Sequence, residues 1–195
     1  MFYYICRDLT NALKYLPFGI GAGALCFCTL TAWNVRQRKR QRDSIPVVQR
    51  TLFFTYLAVI LTITFFSRES GKSQGLDLEL FSTWGINDRN NAYVIENVLL
   101  FVPYGAFCPL AFRYARKFRN CLMTGALTSL SVELLQLFTG RGFFQIDDIL
   151  TNILGTIVGY LLYVVTVKIQ VKWAEINDRY SRSGADHPSG NDLLR

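Results

Sequence analysis

Histidine is almost absent. The one copy, His187, sits in a polar C-terminal tail, which leaves no zinc site of usual ligand spacing and no imidazole to activate Ser129 or Ser131 beside Glu133. Charge is scarce as well. Asp, Glu, Lys and Arg make up 18% of 195 residues while hydrophobic types reach 51%, a balance that argues against a soluble domain and for the bilayer. Cysteine numbers five, an odd count, and Cys26-Phe27-Cys28 is not a CxxC. Cys26, Cys28, Cys108 and Cys121 lie in apolar blocks and Cys6 precedes the first, so all read as small packing residues. A secretory leader is not expected either: the excess of basic residues follows the first apolar block instead of preceding it, and no small-residue cleavage pattern appears. That block is expected to stay in the mature protein.

What the chain does have is blocked hydrophobicity. Five runs, Leu16–Trp33, Val48–Phe66, Ala92–Phe112, Cys121–Phe138 and Ile149–Val167, approach the roughly 17 to 25 residues needed to cross a hydrocarbon core of about 30 Å. The composition therefore predicts an all-α polytopic membrane bundle of five spans. Arg50 intrudes near the start of the second run, where a long side chain can snorkel to the headgroups. Gly19 and Gly23 form a GxxxG that reads equally as simple glycine-rich packing.

The net charge of +7 is concentrated in two short loops. Arg36, Arg38, Lys39, Arg40 and Arg42 follow the first span; Arg113, Arg116, Lys117 and Arg119 follow the third. The alternate loops, Ser67–Asn91 and Thr139–Asp148, each hold one more acid than base. The positive-inside rule then places the N-terminus outside and the C-terminus in the cytoplasm. A basic run beside a span is explained by orientation and anionic lipid, so nucleic acid is not an expected partner. Within the outer loop, Leu76–Phe81 alternates apolar and acidic residues, which suggests a short extended segment or an edge on the membrane surface. Trp84 and Tyr93 suit the interfacial belt. A connector and a lid over the bundle's outer mouth are both open readings of this loop.

The polar residues inside the runs are few and spaced at helical intervals. Asn97, Phe101 and Gly105 share one face of the third span, and Pro103 within it should kink the helix and free a carbonyl. Glu133 and Gln136 share a face of the fourth span, and Glu133 lies about one and a half turns below its outer end. An ionisable group there costs roughly 2.5 kcal/mol or more unless paired or used. Arg141, Asp147 and Asp148 occupy the turn that follows. Acids at 147 and 148 open the last helix, where at least one is expected to cap free N–H groups. Asp148, Asn152, Gly155 and Gly159 fall at i, i+4, i+7 and i+11, one stripe that must face protein. Glu96, Asn97, Glu133, Gln136, Arg141, Asp147, Asp148 and Asn152 are accordingly the candidate polar site near the outer leaflet.

These residues carry a resemblance. Asn97, Phe101, Pro103 and Gly105 in NVLLFVPYG, Glu133 and Gln136 in ELLQ, then Arg141, Asp147, Asp148, Asn152, Gly155 and Gly159 resemble the VanZ family of small bacterial membrane proteins over roughly residues 51 to 167. Gln145 departs from the acidic residue that many relatives carry. The resemblance implies a VanZ-like transmembrane domain over 16–167, between an outside segment at 1–15 and a cytoplasmic polar tail at 168–195. It also implies a link to resistance against the lipoglycopeptide teicoplanin, but no settled reaction. A cell-membrane protein binding an envelope lipid, a lipid-linked precursor or a lipoglycopeptide is the first expectation, without cofactor or metal. An enzyme acting on a lipid headgroup, with Glu133 and an aspartate as acid and base or as oxygen ligands to a divalent cation, is the alternative. A small transporter or flippase is a third reading, which five spans without an internal repeat would need oligomerisation to support.

Topology is directly testable. After replacement of the native cysteines, a membrane-impermeant thiol reagent should reach Ser73→Cys in intact cells and Ser183→Cys only after permeabilisation; the reverse at either position ends the five-span arrangement.

Overall fold

The computed structural model describes residues 1–40, 44–66 and 73–185. Arg42, His187 and positions 67–72 of the long loop lie outside the described residues. Helix α1 (Phe2–Ala12) passes through a 3-10 turn (Leu13–Tyr15) into α2 (Leu16–Lys39), which is followed by α3 (Val47–Phe66), a short strand β1 (Ser73–Asp77) and α4 (Asp88–Ala111). A second 3-10 turn (Arg113–Arg116) leads to α5 (Phe118–Phe138), strand β2 (Arg141–Gln145) and α6 (Ile146–Ala185). Five helical stretches among the described residues are long and apolar enough to cross a membrane: Phe2–Lys39, Val47–Thr64, Asp88–Ala111, Phe118–Phe138 and Ile146–Arg179. All five expected spans are present.

Two features depart from an all-α bundle with polar tails. The segments expected to be loops contribute β1 and β2, which pair in parallel with Gly75 opposite Phe143 and Asp77 opposite Gln145. The extended stretch is therefore Ser73–Asp77, not the alternating Leu76–Phe81, because pairing with β2 fixes the backbone where alternation alone does not. Helix α6 does not stop at Val167 either. It runs to Ala185, about 60 Å at 1.5 Å per residue, so the beginning of the tail is a helix that outruns the bilayer.

Packing centres on α4 and α6. A Cβ built on Gly155 would lie 2.9 Å from Phe101 Cβ and closer still to the Val98 carbonyl oxygen; one on Gly159 would come within 2.9 Å of the Ala106 nitrogen and closer to the Val102 carbonyl. From the other side, a Cβ on Gly105 would collide with the Thr156 carbonyl. The two backbones touch because all three residues lack side chains, the arrangement that lets helices associate inside lipid. Asn97, Phe101 and Gly105 do share this face: Phe101 is 1% exposed and packs on Gly155. Gly19 and Gly23 also meet a neighbour, α3, but there the obstructing atoms belong to the Val59 and Thr55 side chains.

Helix α5 runs antiparallel beside α6, with Thr156 on Gly125 and Asn152 on Ser129. It ends at Gly140, whose φ of +65° and N–H to the Leu137 carbonyl form a left-handed cap. Helix α4 contains both Pro103 and Pro109. Each proline removes a donor, and neighbouring helices supply replacements near the gap. The Tyr56 hydroxyl donates to the Leu100 carbonyl, one residue beyond Leu99, the carbonyl that Pro103 strictly orphans. For Pro109 the orphan is the Gly105 carbonyl, and the Cys121 thiol donates to it at 3.8 Å. Of the five free cysteines only Cys108 and Cys121 are buried; Cys6 and Cys28 are exposed and Cys26 is half-buried. Packing thus accounts for two of them. Arg50 does not simply reach for headgroups: it stacks over Phe112 at 5.4 Å and its Nε donates to the Ala111 carbonyl at the end of α4.

Gly155→Leu should therefore lower the melting temperature in detergent far more than Gly19→Leu, since the first drives a side chain into backbone and the second into the movable Val59. Equal losses would show that the tight seam is not between α4 and α6.

Candidate functional site

The polar residues gather at the end of the bundle opposite Arg113, Arg116, Lys117 and Arg119. Strand β2 runs straight into α6, so Gln145 sits at the junction and its backbone N–H donates to Glu133 Oε2 at 3.1 Å. Glu133 is 2% exposed and Gln136 1%. The Gln136 amide donates to the Thr64 carbonyl near the end of α3 at 3.3 Å, satisfying one of the last carbonyls of that helix, which have no partner within it. On α6, Asp148 accepts from the Asn97 amide at 2.7 Å, tying the site to α4. One turn further in, Asn152 donates to Ser129 Oγ at 2.9 Å, both residues being buried. The Asn152 amide oxygen has no hydrogen-bond partner.

The antiparallel register of α5 and α6 extends this ladder. Residues 125 and 156 meet, as do 129 and 152; the next pair, one turn towards the site end, is Glu133 and Asp148. Two carboxyl groups thus occupy one level of the bundle.

Asp147 behaves differently from the expected cap. Its Oδ1 accepts from the Phe81 N–H at 2.7 Å and its Oδ2 from the Thr83 N–H at 3.0 Å, so the carboxylate organises the long loop and not the helix it begins. Charge-assisted hydrogen bonds of this kind are among the strong ones. Phe81 adopts a left-handed φ of +63°, a conformation that costs a bulky residue roughly 1–3 kcal/mol and persists only where its surroundings hold it. The loop is tied a second time through Asp77, which accepts from the Ser82 hydroxyl at 3.0 Å and the Gln145 amide at 3.3 Å. Ser82, then Gln145 and the Glu79 N–H, hold the Asp77 carboxyl below its ordinary range against the opposing effect of burial. A folded-state value below the unfolded one stabilises this contact above the ordinary carboxylate range, and the contribution is lost as pH falls through the folded value.

Seven of the eight candidate residues therefore belong to this end of the bundle: Asn97, Glu133, Gln136, Asp147, Asp148 and Asn152 through the contacts above, and Arg141, half-buried at the start of β2. Glu96 turns elsewhere. It takes no part in the contacts above; beyond its burial, the charged groups that act on it are Asp8 and Arg7 of α1 and Arg89 of α4. The residues that sequence reasoning missed are Asp77, Ser82, Thr83 and Thr64, together with Ser129 in its role as the partner of Asn152. Ser129 lies one turn from Glu133 on the same helical face and was readable by spacing; the others are brought in by long-range pairing that no local pattern encodes.

Fold and polar end together define a small polytopic membrane protein with an internal ladder of amide and carboxyl groups at one end. The VanZ/LLP1 family model matches residues 53–167, more than half of the chain, and the chain belongs to that family. Among curated proteins it is similar to Protein VanZ of Enterococcus faecium, 26% identical over 132 residues that cover 63% of this chain and 77% of the relative. No solved structure matches it.

The Asp147 contacts give a direct expectation. Asp147→Asn leaves one carbonyl oxygen for two N–H groups, and stranding a buried donor costs about 1–3 kcal/mol. Hydrogen exchange at amides 81 and 83 should rise by about tenfold or more, with α4 and α6 unaffected. Unchanged exchange at both amides would show that the loop is held by something else.

Proposed function

We propose that this chain is a cell-membrane protein, N-terminus outside and C-terminus cytoplasmic, that binds an amphiphilic envelope component at its polar end. That component is a lipid, a lipid-linked precursor or a lipoglycopeptide, and its binding lowers susceptibility to teicoplanin-type antibiotics. The orientation is supported by the nine basic residues in two short loops. The resistance link is supported by family membership.

The observation that carries the binding reading is the Asn152 amide oxygen, an acceptor in a residue 4% exposed and without a hydrogen-bond partner. It sits one turn beneath Asp148, on the stripe that also meets Ser129 and Asn97. A helix pair needing only adhesion gains nothing from a buried acceptor left open, which costs about 1–3 kcal/mol. A polar headgroup with a hydroxyl or amide donor satisfies it, while the tail of the same molecule stays in lipid. The enzyme reading draws on a different observation: Glu133 and Asp148 at one level of α5 and α6 supply two carboxyl groups of the kind acid–base chemistry requires.

Three variants separate a ligand role from a structural one, measured for abundance, melting temperature and teicoplanin susceptibility in a susceptible host. Glu133→Gln and Arg141→Gln should each abolish protection while the protein still accumulates. The double variant should recover whatever stability the Arg141 change removed without recovering protection. Protection that survives Glu133→Gln at normal abundance would remove Glu133 from the site. Turnover of a lipid by the purified protein, lost in the same variant, would favour the enzyme reading.

A further inference from the structure

From the end of β1 to the start of α4 the chain exposes a run of apolar side chains that no helix among the described residues covers. Leu76, Leu78, Leu80, Phe81, Trp84 and Ile86 are all exposed, Phe81 to 75%. Its polar groups turn the other way. Asp77 is tied to Ser82 and Gln145, and the Phe81 and Thr83 N–H groups are both held by Asp147. The loop is thus two-sided: backbone donors and a carboxylate face the site, and apolar side chains face out.

What lies on the outer side follows from where the loop is attached. It joins α3 to α4, both long and apolar enough to cross a membrane, and Trp84 and Ile86 precede the first turn of α4 by only a few residues. Phe138 at the end of α5 and Phe143 on β2 are also exposed beside this sheet, so the apolar surface continues that of the spans. Two acids, Asp88 and Glu79, lie near its edge. A tryptophan between an apolar surface and charged neighbours is at home at the headgroup boundary.

We infer that residues 76–86 form a wedge seated in the lipid interface at the site's end of the bundle, with Asp147 as the positioning residue that fixes its depth. The left-handed Phe81 backbone is the device that turns its ring outward, and the two hydrogen bonds to Asp147 keep it there. The partner is the phospholipid bilayer itself. The wedge places the Glu133–Asp148 level beside lipid headgroups, so an amphiphile enters sideways from the leaflet. This deepens the binding reading above and rests on it for the identity of what enters, but the wedge's depth is independent of any ligand.

The test is fluorescence quenching of the full chain in liposomes, with Trp33→Phe and Trp173→Phe leaving Trp84 as the reporter. Trp84 should emit at blue-shifted wavelength, resist iodide, and be quenched most by phospholipids brominated just below the headgroup. The difference between the wild-type chain and Trp84→Phe reports the same contribution should the single-tryptophan chain fold poorly. Asp147→Asn should move Trp84 outward, raising iodide quenching severalfold. Free access of iodide with no quenching by brominated lipid overturns the proposal. So does strongest quenching near the bilayer centre, and so does shielding from both quenchers, which would mean that a second protein surface covers the loop. Because no ligand is added, a failure here leaves the binding role of Glu133 and Asn152 standing, and loss of that role leaves the wedge standing.

Discussion

Direct contact between the backbones of α4 and α6 is the constraint on which the rest depends. In lipid, apolar side chains gain little from meeting each other, so the bundle is held where backbones come close enough for dispersion and weak polar contacts to accumulate. Gly105, Gly155 and Gly159 permit that approach. The same seam sets the height of α6 against α4 and brings Asp148 to the Asn97 amide. Shift α4 by one turn against α6 and Asp148 loses the Asn97 amide.

The prolines of α4 belong to the same economy of backbone groups. A helix in lipid has no water to repair a missing hydrogen bond. Tyr56 and Cys121 reach from α3 and α5 to the carbonyls of Leu100 and Gly105, so the two breaks become points where α4 is tied to its neighbours. Aromatic packing of Phe53 on Tyr104 and Phe112 fills the space between α3 and α4 on the same side.

Much of this was legible in the sequence, for reasons of scale. Five apolar runs of span length and one stripe at helical spacing are local patterns, and both the helices and the α4–α6 face follow from them. Asn97 with Phe101 and Gly105, and Asp148 with Asn152 and Gly155, were placed together by periodicity alone. What periodicity could not supply was any pairing between distant segments. Five residues of RGFFQ are too few to show a strand period, and Ser73–Asp77 becomes a strand only because β2 lies beside it. Asp147 illustrates the point most sharply. Its place in a first turn argues for capping, yet both its oxygens serve amides more than sixty residues earlier. Glu96 and Asn97 are neighbours in sequence but point a third of a turn apart, and only Asn97 enters the ladder.

The uninterrupted length of α6 has a mechanical side. Its first turn holds Asp147 and Asp148 at the polar end, and it continues without a break to Ala185. About 45 Å separate Gly155 from Ala185, so a tilt of about 5° around the Gly155 contact sweeps the far end through about 4 Å. An α-helix is stiff over that distance. A displacement of α6 at its polar end would therefore be enlarged at its far end, which makes the helix's length the arm of a lever.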